Sequence, residues 1–338
     1  MRAMSKLPNS EKEQMLPIVL LAPWLNSIDF DNTHKVILKS IGKSEIIVDL
    51  DRYFQSGSDL PSRRYFRELL QGDTGASEWM SLVEAHENYI PTIQFLGVSD
   101  RGIEDQVERA RALSRGFVFR IDPLTRTDIA RIFSCVNQYK DDDILTIVDF
   151  GYRDDLLSTA ADVSSIVRHL VEISDSLRIV VTGSSFPNNF SDYDDFSALK
   201  EISERGVFSE IVKNFGNYQI FYGDWSSTKP RRYDGGGSRP LPRIDFPTKS
   251  AWIIARSKEE QWSFQDAADR ITRLPEWERR PIVWGAGMIQ RTALGLPGSI
   301  STGPEAIAAR VNMHLYVQNH FADRSTPPIP EGEWVDPI

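Results

Sequence analysis

Aspartates recur where short apolar runs end. Asp49 and Asp51 close the run that begins at Glu45, Asp122 follows FVFRI, Asp149 closes ILTIVD and Asp224 follows YQIFYG. Carboxylates delivered by several strands can share a Mg²⁺ ion, a hard cation that takes oxygen ligands and often shares them with substrate phosphates. On that reading Asp49, Asp149 and Asp224 are the metal ligands and, with Arg120, the catalytic candidates, Arg120 gripping a phosphate bidentately. Two other arrangements fit the same residues. Asp51, Asp122, Ser184, Ser185 and Arg256 lie at the same ends and can build a polar ligand site without catalysis. Alternatively, the aspartates cap helices and neutralise arginines.

The segment Lys229–Arg243 is the second place where chemistry concentrates. It holds Arg231, Arg232, Arg239 and Arg243 around Gly235-Gly236-Gly237. Glycines let a backbone approach an anion closely, and forked guanidiniums suit phosphate. Phosphate or nucleic-acid backbone binding is one reading, and a solvated linker is the other. The segment lacks GxxxxGK[ST], so it is no P-loop.

Other chemistries find little support. His34, His86, His169, His314 and His320 form no HExxH, HxH or Cys–His spacing, which argues against zinc. Cys135 in RIFSCVN reads as a buried residue of an amphipathic helix. Ser184 and Ser185 follow a strand but lack GxSxG, so a loop offering backbone N–H groups is expected. Asp149-Phe150-Gly151 has no kinase companions. The tryptophans crowd the second half and read as core or partner interface, with base stacking as the alternative.

These residues need strands to position them. Near-continuous apolar runs occur at 17–22, 45–50, 89–96, 116–121, 144–150, 177–182, 218–222 and 251–255. Such runs mark strands covered on both faces, as in parallel sheets. Helical patterns lie between most of them, at 32–41, 64–70, 77–87, 104–113, 127–136, 159–173 and 198–215, the last broken at Gly206. Another follows at 264–274, with Ser263 as its cap. Eight strands alternating with helices predict a TIM-type (β/α)8 barrel, or a barrel-like parallel sheet left incomplete. A doubly wound open sheet loses ground, because Pro23-Trp24-Leu25 replaces the glycine-rich turn after the first strand. The expected organisation is a polar extension over 1–15, a barrel-like α/β domain over 16–276 with a long loop at 225–250, a C-terminal helical extension over 277–321 and a tail at 322–338. Helix 304–321 begins at Thr302 as cap.

Several segments together resemble the phage and bacterial "Beta protein" family: VVTGSSFP (Val180–Pro187), FYGDWS (Phe221–Ser226), GGGSRPLPRIDF (Gly235–Phe246) and AWIIAR (Ala251–Arg256). Val48–Leu50, Phe119–Ile121, Val148–Gly151 and a final helix carrying Asn312 and His314 fit its order. The resemblance runs from about Leu16 to Phe321. It implies a barrel-type α/β fold and a setting of phage–host conflict rather than a reaction. Members usually carry a further strand and helix before the segment that matches Leu16–Trp24. Ala251–Arg256 is therefore either the eighth strand or outside an incomplete barrel.

Composition sets the outer limits. The chain has 338 residues, 41% hydrophobic, with one cysteine and a formal charge of −9. Apolar content at that level supports a core, and one cysteine makes no intrachain disulfide, so a reducing, cytoplasmic setting is expected. The apolar runs are too short to span a bilayer, and no signal peptide is expected at the start. An acidic balance excludes a uniformly basic nucleic-acid binder but leaves room for one local anion site. The functional expectation is a non-catalytic binding or adaptor component that takes a phosphorylated ligand, a nucleotide or nucleic-acid end, and works with a protein partner encoded nearby. The alternative is a metal-dependent phosphodiesterase or nuclease using Mg²⁺.

Overall fold

Apolar runs that are buried on both faces become strands only where helices cover one face and other strands fill the opposite one. The computed structural model describes residues 1–24, 26–55, 59–153, 155–187, 189–190, 192–193, 198–228 and 241–322. Its strands are β1 (Ile18–Leu21), β2 (Ile46–Leu50), β3 (Tyr89–Pro91), β4 (Phe117–Ile121), β5 (Ile144–Tyr152), β6 (Arg178–Ser184), β7 (Ala198–Glu201), β8 (Gln219–Tyr222), β9 (Arg243–Pro247) and β10 (Ala251–Arg256). The chain divides into two compact units. The first holds residues 1–5, 12–189 and 201–238, and the second holds 6–11, 190–200 and 239–338.

In the first unit every strand pair is parallel. One sheet runs β1-β2-β3 and another β4-β5-β6-β8. A bridge between Thr92 and Val118 joins the two, so these strands follow one another in chain order. Helices cross between them at Asp31–Ile41, Gly72–Glu84, Asp100–Leu113, Ile129–Gln138, Leu156–Ile173 and Ser203–Phe215. The α/β class and the parallel pairing stand, but among the described residues no closed barrel forms. The expected eighth strand explains the difference. Ala251–Arg256 pairs antiparallel with Arg243–Pro247, in the second unit.

Alternation along each strand separates two faces. Ile46, Val48 and Leu50 of β2, Phe117, Phe119 and Ile121 of β4, and Ile179 and Val181 of β6 point to the main core, with Trp79, Val107, Val163 and Val207 from the helices. The other face gathers a smaller cluster made by strands alone: Ile47, Ile90, Val118 and Ile147, with Leu145 and Val180 against it. Two residues farther along these strands the same face carries Asp49, Thr92, Arg120, Asp149 and Thr182 instead. The change from apolar to polar two residues on is what creates a site.

Two glycines lie close against neighbouring side chains. A Cβ on Gly183 would lie 2.0 Å from Cε2 of Phe150, and one on Gly206 would lie 2.2 Å from Cδ1 of Leu156. Gly206 therefore does not break its helix. Ser203–Phe215 runs through it unbroken, and the preceding residues expected to be helical form β7 instead.

The second unit is built on the β7-β10-β9 sheet. Helices Phe264–Thr272 and Gly303–Asn319 cover it and Trp284–Ala293 packs on those two helices, with Phe246, Ile253, Ala268, Ile289 and Met313 in the core. Ser263 caps the first helix in a reciprocal box with Asp266, as expected from the sequence. Arg310, 3% exposed on its side chain, meets Asp245 at 2.5 Å inside this unit. Asn312 Oδ1 accepts from the Gly285 amide at 2.8 Å, which ties two helices together. Among the described residues no helix is long and apolar enough to cross a membrane.

Candidate functional site

Arg120 leaves the strand-only face of β4 and is met from both sides. Its Nη1 donates to Asp49 Oδ2 at 2.7 Å, and its Nη2 donates to Asp149 Oδ2 at 2.7 Å. Asp122 Oδ2 stands 3.4 Å from the same Nη1. All four side chains are buried, at 3–9% exposure. The remaining carboxylate oxygens are also occupied. Asp49 Oδ1 accepts from the Leu50 amide at 2.7 Å and from Gln94 Nε2 at 2.8 Å. Asp149 Oδ1 accepts from the Gly151 amide at 2.8 Å and from Trp225 Nε1 at 3.2 Å. Asp122 Oδ1 accepts from the Leu124 and Thr125 amides, both at 2.9 Å. The Trp225 ring lies 5.9 Å from the Arg120 guanidinium carbon, within cation–π range.

A second layer holds Gln94. Its backbone N–H donates to Gln106 Oε1 at 2.8 Å, and Gln106 Nε2 returns a bond to its carbonyl at 3.0 Å. Electrostatics follow from burial and charge together. Burial opposes the charge on Arg120, but Asp149, Asp49 and Asp122 outweigh it and raise its pKa. Burial pushes the Asp122 carboxyl above its ordinary range, with Arg120 and the Thr125 amide opposing.

Beside the cluster is a cavity of about 20 Å³ lined by Asp49, Arg52, Thr92, Gln94 and Arg120. That is room for about one water molecule. Thr92 is 3% exposed, and its Oγ1 has no hydrogen-bond partner among the described residues. Arg52 Nη2 donates to Gln94 Oε1 at 2.8 Å. Arg52 makes no ion pair among the described residues, and burial lowers its pKa against the pull of Asp49 and Asp122. Asp51 is buried here too, its Oδ1 accepting from the Tyr53 amide at 3.2 Å.

The other candidates have different surroundings. Asp224 accepts from the Tyr222 hydroxyl at 2.9 Å and from the Ser226 amide at 2.6 Å. The Arg205 guanidinium stacks 3.3 Å from the centre of the Tyr222 ring. Ser184 donates to the Thr228 carbonyl and accepts from the Phe186 amide. Ser185 donates to the Glu204 carboxylate and accepts from the Ser203 amide at 2.9 Å. Glu204 in turn accepts from the Ser185 amide at 3.1 Å, so Ser185 satisfies the Ser203 N–H at the start of helix Ser203–Phe215 while Glu204 holds Ser185 in place. In the second unit Arg243 meets Asp245 at 2.7 Å and lies 3.4 Å over the Phe190 ring, while Arg256 donates to the Phe190 carbonyl. Arg231, Arg232 and Arg239 lie outside the described residues.

Asp49, Asp122, Asp149 and Arg120 thus meet at one place, as their positions at strand ends imply. Among the described residues no group of three or more His, Cys, Asp or Glu side chains is arranged to hold a metal ion. A cation between Asp49 and Asp149 would have to displace the guanidinium. Arg52, Thr92, Gln106 and Trp225 were not readable as site residues. Arg52 had one available signal, its place two residues past a strand end beside Asp51.

The model of the family described as Beta protein matches residues 1–320. The chain is similar to "Protein beta" of Enterobacteria phage P4, with 29% identity over 326 residues, covering 88% of this chain and 90% of that protein. No solved structure matches it significantly. A family match over nearly the whole chain, and a relative aligned along almost all of its own length, lead to one assignment: the chain belongs to the Beta protein family.

Proposed function

We propose that this protein is a non-catalytic binding component of phage–host conflict, working in the cytoplasm with a protein partner encoded nearby. Its sheet end takes a phosphorylated ligand, a nucleotide or nucleic-acid end. The carrying observation is Arg120, held at 2.7 Å by both Asp49 and Asp149. Carboxylates committed to a buried guanidinium and to amide donors are poor metal ligands and poor bases. The donors beside the cavity are the Arg52 guanidinium and the Thr92 hydroxyl, and with room for about one water molecule the cavity takes a single ligand oxygen, the rest of the ligand lying outside it. Asp49, Asp51, Asp122 and Asp149 outnumber Arg52 and Arg120, so a phosphate needs further positive charge. On this reading Arg231 and Arg232, which follow β8 in the sequence, supply it.

The experiment is calorimetric titration of the full chain with mononucleotides and short oligonucleotides in EDTA. Binding is expected without metal, weakened at least tenfold by Arg52→Ala and by Arg231→Ala/Arg232→Ala. Hydrolysis of any of these ligands in Mg²⁺ or Mn²⁺ by protein free of contaminating activity overturns the reading and restores the phosphodiesterase alternative. Absence of binding to the whole panel also refutes it.

A further inference from the structure

A shallow groove of about 410 Å³ lies beside helix Asp31–Ile41, lined by Trp24, Ser27, Asn32, Lys35, Val36 and Lys39. Its construction is specific. The Thr33 hydroxyl donates to the Ala22 carbonyl at 3.0 Å and accepts from the Trp24 amide at 3.1 Å, clamping the chain after β1 onto the helix. Asn32 Nδ2 donates to Ser27 Oγ at 2.7 Å, and the Ser27 amide donates to the Trp24 carbonyl at 3.0 Å, closing the turn that presents the indole. Trp24 is 43% exposed, so its indole offers a flat apolar face to a ligand in the groove.

Charge says what kind of ligand fits. Of the chain's 11 lysines, Lys35, Lys39 and Lys43 fall within nine residues, in a protein of net charge −9. All three are exposed. Asp31 engages Lys35 at 2.8 Å, whereas Lys39 and Lys43 make no ion pair among the described residues. Residues 32, 35, 36 and 39 share one helix face, and a spacing of four residues advances about 6 Å along the axis. An exposed indole at the head of a column of ammonium groups combines the two elements that hold single strands, a stacking surface and a positive track for the backbone.

We propose that this groove binds single-stranded nucleic acid, a base stacking on Trp24 and successive phosphates lying along Lys35 and Lys39. The site is independent of the phosphorylated-ligand reading of the sheet end, because it uses none of the same residues. Asp29 and Asp31 at the head of the helix keep the positive column short, so the site favours a strand segment over a long duplex track.

The test is anisotropy titration of labelled oligo(dT) against the full chain in low salt, with duplex of the same length and polyglutamate as competitors. Trp24→Ala is expected to weaken binding at least fivefold, as for loss of one stacked base. Lys35→Ala/Lys39→Ala is expected to lower the slope of log K against log salt by about 1.4, at ~0.7 per phosphate contact on a single strand. Trp24→Ala keeps the backbone N–H that Thr33 accepts, and circular dichroism checks the fold. Calorimetric titration with a mononucleotide separates the two sites: Lys35→Ala/Lys39→Ala leaves that affinity unchanged. Absence of binding, or binding that both groove variants leave unaltered, overturns the proposal. Equal competition by polyglutamate with no effect of Trp24→Ala also overturns it, and assigns the groove to an acidic protein partner.

Discussion

Arg120→Met is the sharpest perturbation of the site. Methionine roughly preserves the length of the side chain but removes the guanidinium and strands two carboxylates that are 9% and 3% exposed. Each charge-assisted bond lost is worth about 1.5–3 kcal/mol, and breaking a buried ion pair from one side costs about 3–5 kcal/mol in all. Native stability is of the order of 5–15 kcal/mol, so the loss is a large fraction of the whole. Urea unfolding followed by circular dichroism should show the midpoint of the first unit falling by about 1 M or more. Adding Asp49→Asn and Asp149→Asn to the same chain should return much of the loss, since the cost lies in the unpaired charges rather than in the absent cation. Asp122→Asn should cost less than Arg120→Met, because its closest approach to Arg120 is 3.4 Å. A loss below about 1 kcal/mol for Arg120→Met, or no recovery in the triple variant, refutes the view that the cluster is an internally neutralised unit.

Three further outcomes can be measured. Gly183→Ala places a Cβ 2.0 Å from Cε2 at the edge of the Phe150 ring and should lower stability by roughly 1–3 kcal/mol, with Phe150→Leu in the same chain relieving part of it. His34 is buried, stacks on His86 with ring centroids 4.2 Å apart, and has its Nδ1 2.7 Å from the Tyr89 hydroxyl; burial, then His86, pushes its pKa down to about 4 while Asp31 and Asp29 oppose. A depressed pKa means that the neutral ring's stabilisation is full above about pH 6.5 and is lost as pH falls toward 4, a change of the order of 3 kcal/mol that His34→Phe should remove from the pH–stability curve. Arg310→Met should destabilise the second unit by about 1.5–3 kcal/mol, the loss of one charge-assisted bond, because Asp245 keeps Arg243 at 2.7 Å as a partner; a separate shift in tryptophan fluorescence on urea unfolding reads it.

Much of the first unit was legible because its physics is local. Val48, Phe119 and Val181 sit in runs that need cover on both faces, and those runs are the strands. The same rule misplaced Ala251–Arg256. An antiparallel strand covered on both faces has the same composition as a parallel one, and its partner Arg243–Pro247 was hidden among prolines and arginines that read as a linker. The convergence of Asp49, Asp149 and Arg120 followed from their positions at strand ends. Its outcome did not, because whether two carboxylates meet a cation or a guanidinium depends on a contact across 71 residues of sequence. Gln106 was unreadable for a related reason: a buried polar residue on a helix reveals its role only when the strand-end backbone it holds is in place.

The parallel strands of the first unit are not joined evenly. β4 and β5 share a register of five paired residues, whereas β3 reaches β4 through the single bridge from Thr92 to Val118. The sheet therefore has a seam, with residues 18–91 on one side and 117–222 on the other. Asp49 belongs to the first side, and Arg120 and Asp149 to the second, so the buried ion pair works as a clasp across the weakest line of the sheet. Gln94, held by Gln106 and bonded to both Asp49 and Arg52, stands on that same line. A group entering the adjoining cavity would press on the clasp itself, and its binding energy would be spent directly on how firmly the two halves of the sheet are closed.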